Sequence, residues 1–452
     1  MSELRHGGLA YAWHKGAFLS RTQAQYAIER LWALVAGSAR WEGKPVIVFP
    51  AVSLEQIKFE LDLPPGALPW IPLDNVLPQG TKLGLDTKSL PANCQVNLEL
   101  PVCYDGNCDF PLDLLASVFM ELTRWEEWKR PAPDEFGRHD EEATQSARQG
   151  YRDRPVLDEW AMVVRKWIEI NRPSWRAVIS SPRLWITHDI DIPWYFQNLS
   201  RVIRGIAKGA IRQHSFIRAL MNFVMGLQSV RHPEKDPCYQ GVKKLMALDE
   251  SLGMKGTFFF MTSEKSNIDE GYDLQHPSLL HLLDNVRNRG HEIGWHISYN
   301  ASRSPIIFEQ EKDKFKAFIR NNSCGVRHHY LAWRGPKSWQ MIAKNGFVYD
   351  SSLGYTYNPG GFRCGTAHSY QVFDLEENLA LALFERPLIA MDSPIMLLAK
   401  KTSLLEAAEN ISKLFNRTNL SGGCFSILIH NTIEWDHPNA FTFFFDWLSE
   451  RI

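Results

Sequence analysis

The most constraining feature of this 452-residue chain is a set of short apolar runs in its second half, each stopping on a polar residue able to do chemistry. RLWITHDID, GTFFFMT, HEIGWHI and CFSILIH alternate with segments of helical period at 239–252 and 277–289. Strands and helices alternating at this length predict βαβ units around a parallel sheet or barrel. Parallel strands finish at one edge, where the catalytic groups of such folds are found. Reactive side chains are therefore expected where the apolar runs stop, and Asp189, Asp191, His296 and His430 stand at such places.

The first half reads differently. A strand is expected at 44–52 (KPVIVFPAV). A helix is expected at 110–128, where Leu115, Phe119, Leu122 and Glu126 recur at helical spacing and the WEEW ending forms its outer edge. A loop rich in Pro, Asp and Gly (RPAPDEFGRHDEE) follows, then a second amphipathic helix at 156–170. The polar, proline-containing stretch 171–182 is the candidate linker. The expected organisation is a smaller α/β accessory domain over 1–176 and an irregular (β/α) barrel over 177–452.

Composition narrows the partners. A net charge of -1 provides no global field to attract nucleic acid. The first twenty residues lack the apolar core and small-residue cleavage site of a secretory leader, and no apolar run is long enough to span a bilayer. The expected location is the cytoplasm. Cys94, Cys103, Cys108, Cys238, Cys324, Cys364 and Cys424 are scattered, and no second close pair joins Cys103 and Cys108 to complete a zinc ribbon. They read as reduced thiols.

Asp189 and Asp191, two residues apart on an extended chain, point the same way. One can ligate a metal while the other stays free as a base; a pair of loop or N-cap aspartates is the plain alternative. His296 closes its run and suits a metal ligand, whereas His291 opens the same run and is expected in a structural role at the opposite end. Arg327, in GVRHHY, can hold a neighbouring acid ionised, and the adjacent His328 and His329 fit either a surface turn or the site. Asp392 follows the run ending IAM, and His430, after CFSILI, is well placed as a general acid.

Taken in order, THDID, GMKGTFFFMT, GHEIGWH, RHHY and ILIH resemble the motifs of the polysaccharide deacetylase superfamily, the NodB homology domain of carbohydrate esterase family four. The resemblance runs from about residue 183 to the C-terminus. A closer resemblance is to a bacterial branch with a THDVD-like first motif, HPSY-like and RQHYL-like segments, YDSSLGY and a GFRAGT-like loop, which read here THDID, HISYN, RHHYL, YDSSLGY and GFRCGT. LTRWEEW, DEFGRHD and RPVLDEW in the first half resemble the accessory domain of that branch, whose members are linked with surface-polysaccharide biosynthesis.

The resemblance implies a NodB-type barrel and a hydrolase that removes the acetyl group from an N-acetylated sugar or glycan. It implies a divalent metal, with zinc the expected ion, held by Asp191 and His296; Asp189 as base, tuned by Arg327; the Tyr330 N–H at the oxyanion; and His430 as acid, oriented by Asp392. Tyr355 and Arg363 fall where substrate binding is expected, although Arg363 could equally brace its loop. One departure stands out. The family's second metal histidine, four residues after the first, is Asn300 here, a poor zinc ligand. Either His329 provides the third ligand, which is the reading preferred here, or the metal is weak or absent. The rival functions are a catalytically silent glycan-binding or assembly protein and an amidase for a non-sugar C–N bond. Separately, Arg201, Arg204, Lys208 and Arg212 recur at helical steps. A solvated face is the simpler reading of them; a weak contact with a membrane surface or lipid-linked glycan is the other.

Overall fold

The computed structural model describes residues 2–45, 47–51, 113–148, 150–207, 216–319 and 324–451. Strands β1 (Ser2–His6), β2 (Leu9–Trp13) and β3 (Ile47–Pro50) form a small sheet in which β1 and β2 are antiparallel and β2 and β3 parallel. The helix Arg21–Ala36 is started by a reciprocal capping box between Ser20 and Gln23.

The second sheet positions the site. Its strands are β4 (Arg183–Ile190), β5 (Thr257–Met261), β6 (Glu292–Ile297), β7 (Gly325–His328), β8 (Tyr349–Asp350), β9 (Tyr370–Asp374), β10 (Leu379–Glu385), β11 (Ala390–Met391) and β12 (Cys424–Leu428). They lie in the order β11-β12-β4-β5-β6-β7-β8-β10-β9, with every neighbouring pair parallel except β9 and β10. Chain composition explains this arrangement. β5, TFFFM, is buried at every position, as a parallel strand covered on both faces requires. Helices Pro237–Ser251 and Pro277–Asn288 cross between β4, β5 and β6, each opened by Pro at its first turn and a side-chain cap from Asp236 or His276.

The helix expected at 110–128 is shorter and broken. It runs Leu114–Thr123, capped by Asp113, and a second turn occupies Trp125–Lys129; residues 110–112 lie outside the described residues. Arg124, at φ 52, makes the break, and its guanidinium reaches Glu121 and Glu127 at 2.9 Å each. The WEEW segment is not an outer edge, because Trp125 and Glu127 are buried. The reason is an ion pair that helical spacing alone does not foreshadow: Glu127 Oε2 accepts from Arg363 at 2.7 Å. Cys94, Cys103 and Cys108 lie outside the described residues; Cys238, Cys324, Cys364 and Cys424 are free thiols.

Buried contacts join the first half to the second. The amide of Leu157 donates to the Gly365 carbonyl at 2.8 Å, and Asp158 accepts from Thr366 Oγ1 at 2.5 Å and the Ala367 amide at 2.9 Å. One continuous apolar core runs from Leu4 to Leu448.

Candidate metal centre

Because β4, β6, β7, β11 and β12 run parallel, their C-terminal ends share one edge, and the residues closing them meet there. Asp191 follows β4, His296 lies near the end of β6, and His329 follows β7. One donor atom from each of the three can be chosen so that all lie within 4.8 Å of one another. His296 Nε2 is 3.1 Å from Asp191 Oδ1, and His329 Nε2 is 3.8 Å from Asp191 Oδ2. His296 Nε2 and Asp191 Oδ1 are buried without a well-formed hydrogen bond. Buried donor atoms left in that state are costly unless something else satisfies them. Imidazole nitrogens and a carboxylate oxygen converging in this way fit a divalent cation, zinc among them.

The histidines are oriented from behind. His296 Nδ1 is 3.0 Å from the Arg327 carbonyl, and His329 Nδ1 is 2.8 Å from Asp269 Oδ1, so both Nε2 atoms face Asp191. Asp269 also accepts from the amides of Tyr299 (2.9 Å) and Asn300 (3.4 Å). Burial works against its charge, but the His329 ring and these amides outweigh it and hold its carboxyl below the usual range. Asn300 supplies a backbone N–H to the carboxylate that supports His329. Burial likewise opposes ionisation of Asp191, yet His329, His296 and His430 together hold it well below the ordinary carboxylate range.

Two pairs flank the three donors. Arg327 is fully buried and gives Nη1 to Asp189 Oδ1 at 3.0 Å; Thr187 and Ser351 take its other N–H groups, and its guanidinium lies 4.6 Å over the Phe259 ring. Asp189 Oδ2 is 3.8 Å from His296 Nε2. On the other side, Asp392 Oδ1 is 2.7 Å from His430 Nδ1, and Oδ2 accepts the His430 amide at 2.6 Å. Burial disfavours the imidazolium, but Asp392, then Asp191 and Asp189, push the His430 pKa up to about 10. His430 Nε2 is 3.9 Å from Asp191 Oδ2, so this ring borders the cluster.

Tyr330 turns the chain after β7 at φ 59, followed by Leu331 at φ 51, two successive left-handed residues that are not glycine. Such backbone costs on the order of 1–3 kcal/mol per residue and persists only where its surroundings impose it. Here Arg138 gives Nη1 to the Tyr330 carbonyl at 3.0 Å, and the Phe136 ring stacks on Tyr330 at 4.7 Å.

Some sequence-predicted residues lie elsewhere. Arg363 is buried in the ion pair with Glu127 and donates to the Gly354 carbonyl; Tyr355 is buried with its hydroxyl 2.9 Å from Ser146 Oγ. Neither is among the groups gathered around Asp191. His291 accepts the Gly256 amide at 3.0 Å beside Asp249, which also meets His188 at 3.1 Å, so both histidines are held by internal partners. Within the cationic row, Arg201 is buried, paired with Glu270 and set over the Tyr195 ring, Arg204 is exposed, and Lys208 and Arg212 lie outside the described residues.

A family profile described as "Family of unknown function (DUF7033)" matches residues 72–173. No curated protein matches the chain. A solved structure described as a "putative polysaccharide deacetylase from Mycobacterium smegmatis" is similar at 14% identity and a TM-score of 0.39, over 60% of this chain and 84% of that one.

Asp269, Phe136 and Arg138 are the site-supporting residues that sequence reading missed. Asp269 sits in a loop with no apolar run to point at it. Phe136 and Arg138 belong to the DEFGRHD segment, whose density of charge around an aromatic residue was the available signal.

Proposed function

We propose that this chain is a metal-dependent deacetylase that hydrolyses the N-acetyl group of a sugar or glycan intermediate in surface-polysaccharide biosynthesis. The observation that carries the reading is the convergence of Asp191, His296 and His329, flanked by the buried Asp189–Arg327 and Asp392–His430 pairs. A divalent ion held by those three side chains would supply Lewis acidity toward the acetyl carbonyl and an attacking water.

The chain's own groups account for the proton traffic. Arg327 occupies Asp189 Oδ1 and leaves Oδ2 on the side of His296, where Asp189 as base takes a proton from the attacking water. The water oxygen adds to the carbonyl carbon, and the C–N bond breaks as the resulting tetrahedral oxyanion collapses to acetate. His430, kept protonated by Asp392, delivers its Nε2 proton to the departing amine. The left-handed turn at Tyr330 supports the family-derived role of its N–H at the oxyanion, since it redirects the backbone immediately after His329. The proposed layout keeps the accessory region at 1–176, with Phe136 and Arg138 bracing the Tyr330 turn.

Protein reconstituted with zinc or cobalt is expected to release acetate from N-acetylated sugars, and Asp189→Asn is expected to lower that rate by about 10²–10⁴-fold. Full acetate release by that variant would remove Asp189 as the base. A protein that binds neither zinc, cobalt nor nickel would favour the silent glycan-binding alternative. Release from non-sugar amides alone would favour the amidase.

A further inference from the structure

The helices Leu199–Ala207 and Phe216–Arg231 pack against each other with their polarity reversed. The second buries its small and polar residues, Ala219, Asn222, Gly226 and Ser229, which recur at steps of three and four. A methyl group at Gly226 would stand 2.9 Å from Val202 and 3.0 Å from Phe196, and Asn222 Nδ2 donates to the Gly205 carbonyl at 2.7 Å. Backbones approach closely through small residues, as in helix contacts made inside lipid.

The opposite face carries the large apolar side chains. Phe216 and Ile217 are 82% and 71% exposed, with Leu220, Phe223 and Val224 also open to solvent. The first helix adds Leu199 and Ile203, 62% and 67% exposed. Large apolar side chains exposed on two helices that pack together mark an interaction surface. Its charge identifies the occupant. From 192 to 233 the sequence holds Arg201, Arg204, Lys208, Arg212, Arg218 and Arg231 and no Asp or Glu. Of these cations, Arg204 and Arg231 are exposed, Arg201 is buried and paired with Glu270, and the side chains of Lys208, Arg212 and Arg218 lie outside the described residues.

We propose that the apolar face of these two helices docks the protein on an anionic membrane surface, lying in the interface without crossing it. Apolar residues on one side and basic ones around them are what an in-plane helix needs to enter the headgroup region of anionic lipid. A second copy fits less well, because a two-fold contact sets two acid-free cationic segments against each other. Among the described residues no helix is long and apolar enough to cross a membrane. The surface is joined to the catalytic edge: Arg201 holds Glu270, next to Asp269, and a cleft of about 420 Å³ lies between Met221 and Met225 on one side and Asn431 and Trp435 on the other. This docking does not depend on the reaction proposed above.

The full chain is expected to float with vesicles of phosphatidylcholine mixed with phosphatidylglycerol, weakly with phosphatidylcholine alone, and less at high salt. Phe216→Asp combined with Leu220→Asp is expected to lower binding by more than about tenfold. Circular dichroism and the elution volume on size exclusion should be unchanged by these exposed substitutions. Wild-type protein that stays behind from anionic vesicles overturns the proposal, as does a double variant that binds them equally. Concentration-dependent dimerisation abolished by the same substitutions, without vesicle binding, would assign the face to a second copy and overturn it as well.

Discussion

Asp269 shows how much of the site depends on one residue outside the strand ends. It fixes the ring of His329 through Nδ1 at 2.8 Å and is itself fixed by the amides of Tyr299 and Asn300. A carboxylate behind a ligating histidine sets its tautomer and raises its basicity. Asp269→Asn is expected to weaken zinc or cobalt affinity by about 10–100-fold, measured by calorimetric titration. An affinity equal to wild type would separate Asp269 from the metal. At this scale, the donor atoms near Asp191 come from His296 in β6 and from His329, directly after β7.

At the scale of elements, the register of β6, β7 and β8 decides whether those rings meet. His296 pairs with Arg327, and Gly325 pairs with Tyr349. The Tyr349 ring lies directly over Gly325, where a Cβ would stand 1.9 Å from it. That ring cannot move freely, because its hydroxyl donates to Glu292 at 2.8 Å and the Arg386 guanidinium sits 3.8 Å from its centre. Gly325→Ala is therefore expected to destabilise the protein by about 1–3 kcal/mol, read from the midpoint of denaturant unfolding. An unchanged midpoint would mean that the strand edge yields more easily than this packing implies. The broken helix before residue 130 carries a related lesson. Periodicity showed its apolar face correctly, but Arg124 takes the left-handed conformation with its guanidinium bridging Glu121 and Glu127. Local propensity contains no information about that ion-pair group, because Arg363, its other cation, lies far along the chain.

Across the whole molecule, that buried ion pair links the first half to the second. Burial raises the pKa of Glu127, but Arg363 and Arg124 outweigh it and bring it down to about 2. A folded value depressed below the usual ~4.3 contributes stability that is fully present above the unfolded pKa and lost as pH falls toward the folded one. Wild-type stability is therefore expected to decline on acidification from about pH 4 toward pH 2 in part through Glu127. Arg363→Met should cost about 3–5 kcal/mol at neutral pH, because it removes one cation from a buried carboxylate. A chemical-denaturation series over pH checks both, and a variant as stable as wild type at neutral pH would show that Arg124 alone suffices.

By itself, the sequence determined that the second half alternates strand and helix, and hence that residues closing different apolar runs share one edge. Parallel strands end at one edge, so Asp189, Asp191, His296 and His430, which close such runs, stood out as candidates, while the roles given to them and to Arg327 came from the family resemblance. Only the tertiary structure brings His329 beside Asp191 and His296 and shows what orients its ring. That depends on a left-handed turn at Tyr330 and on Asp269 from a separate loop, contacts between segments distant in the chain. It also decided that Arg363 faces Glu127 inside the protein and that the helix Phe216–Arg231 buries its small face. Periodicity reports that a helix has two faces. Which one packs inward is set by the shape of what it meets, here Val202 and Phe196 against Gly226.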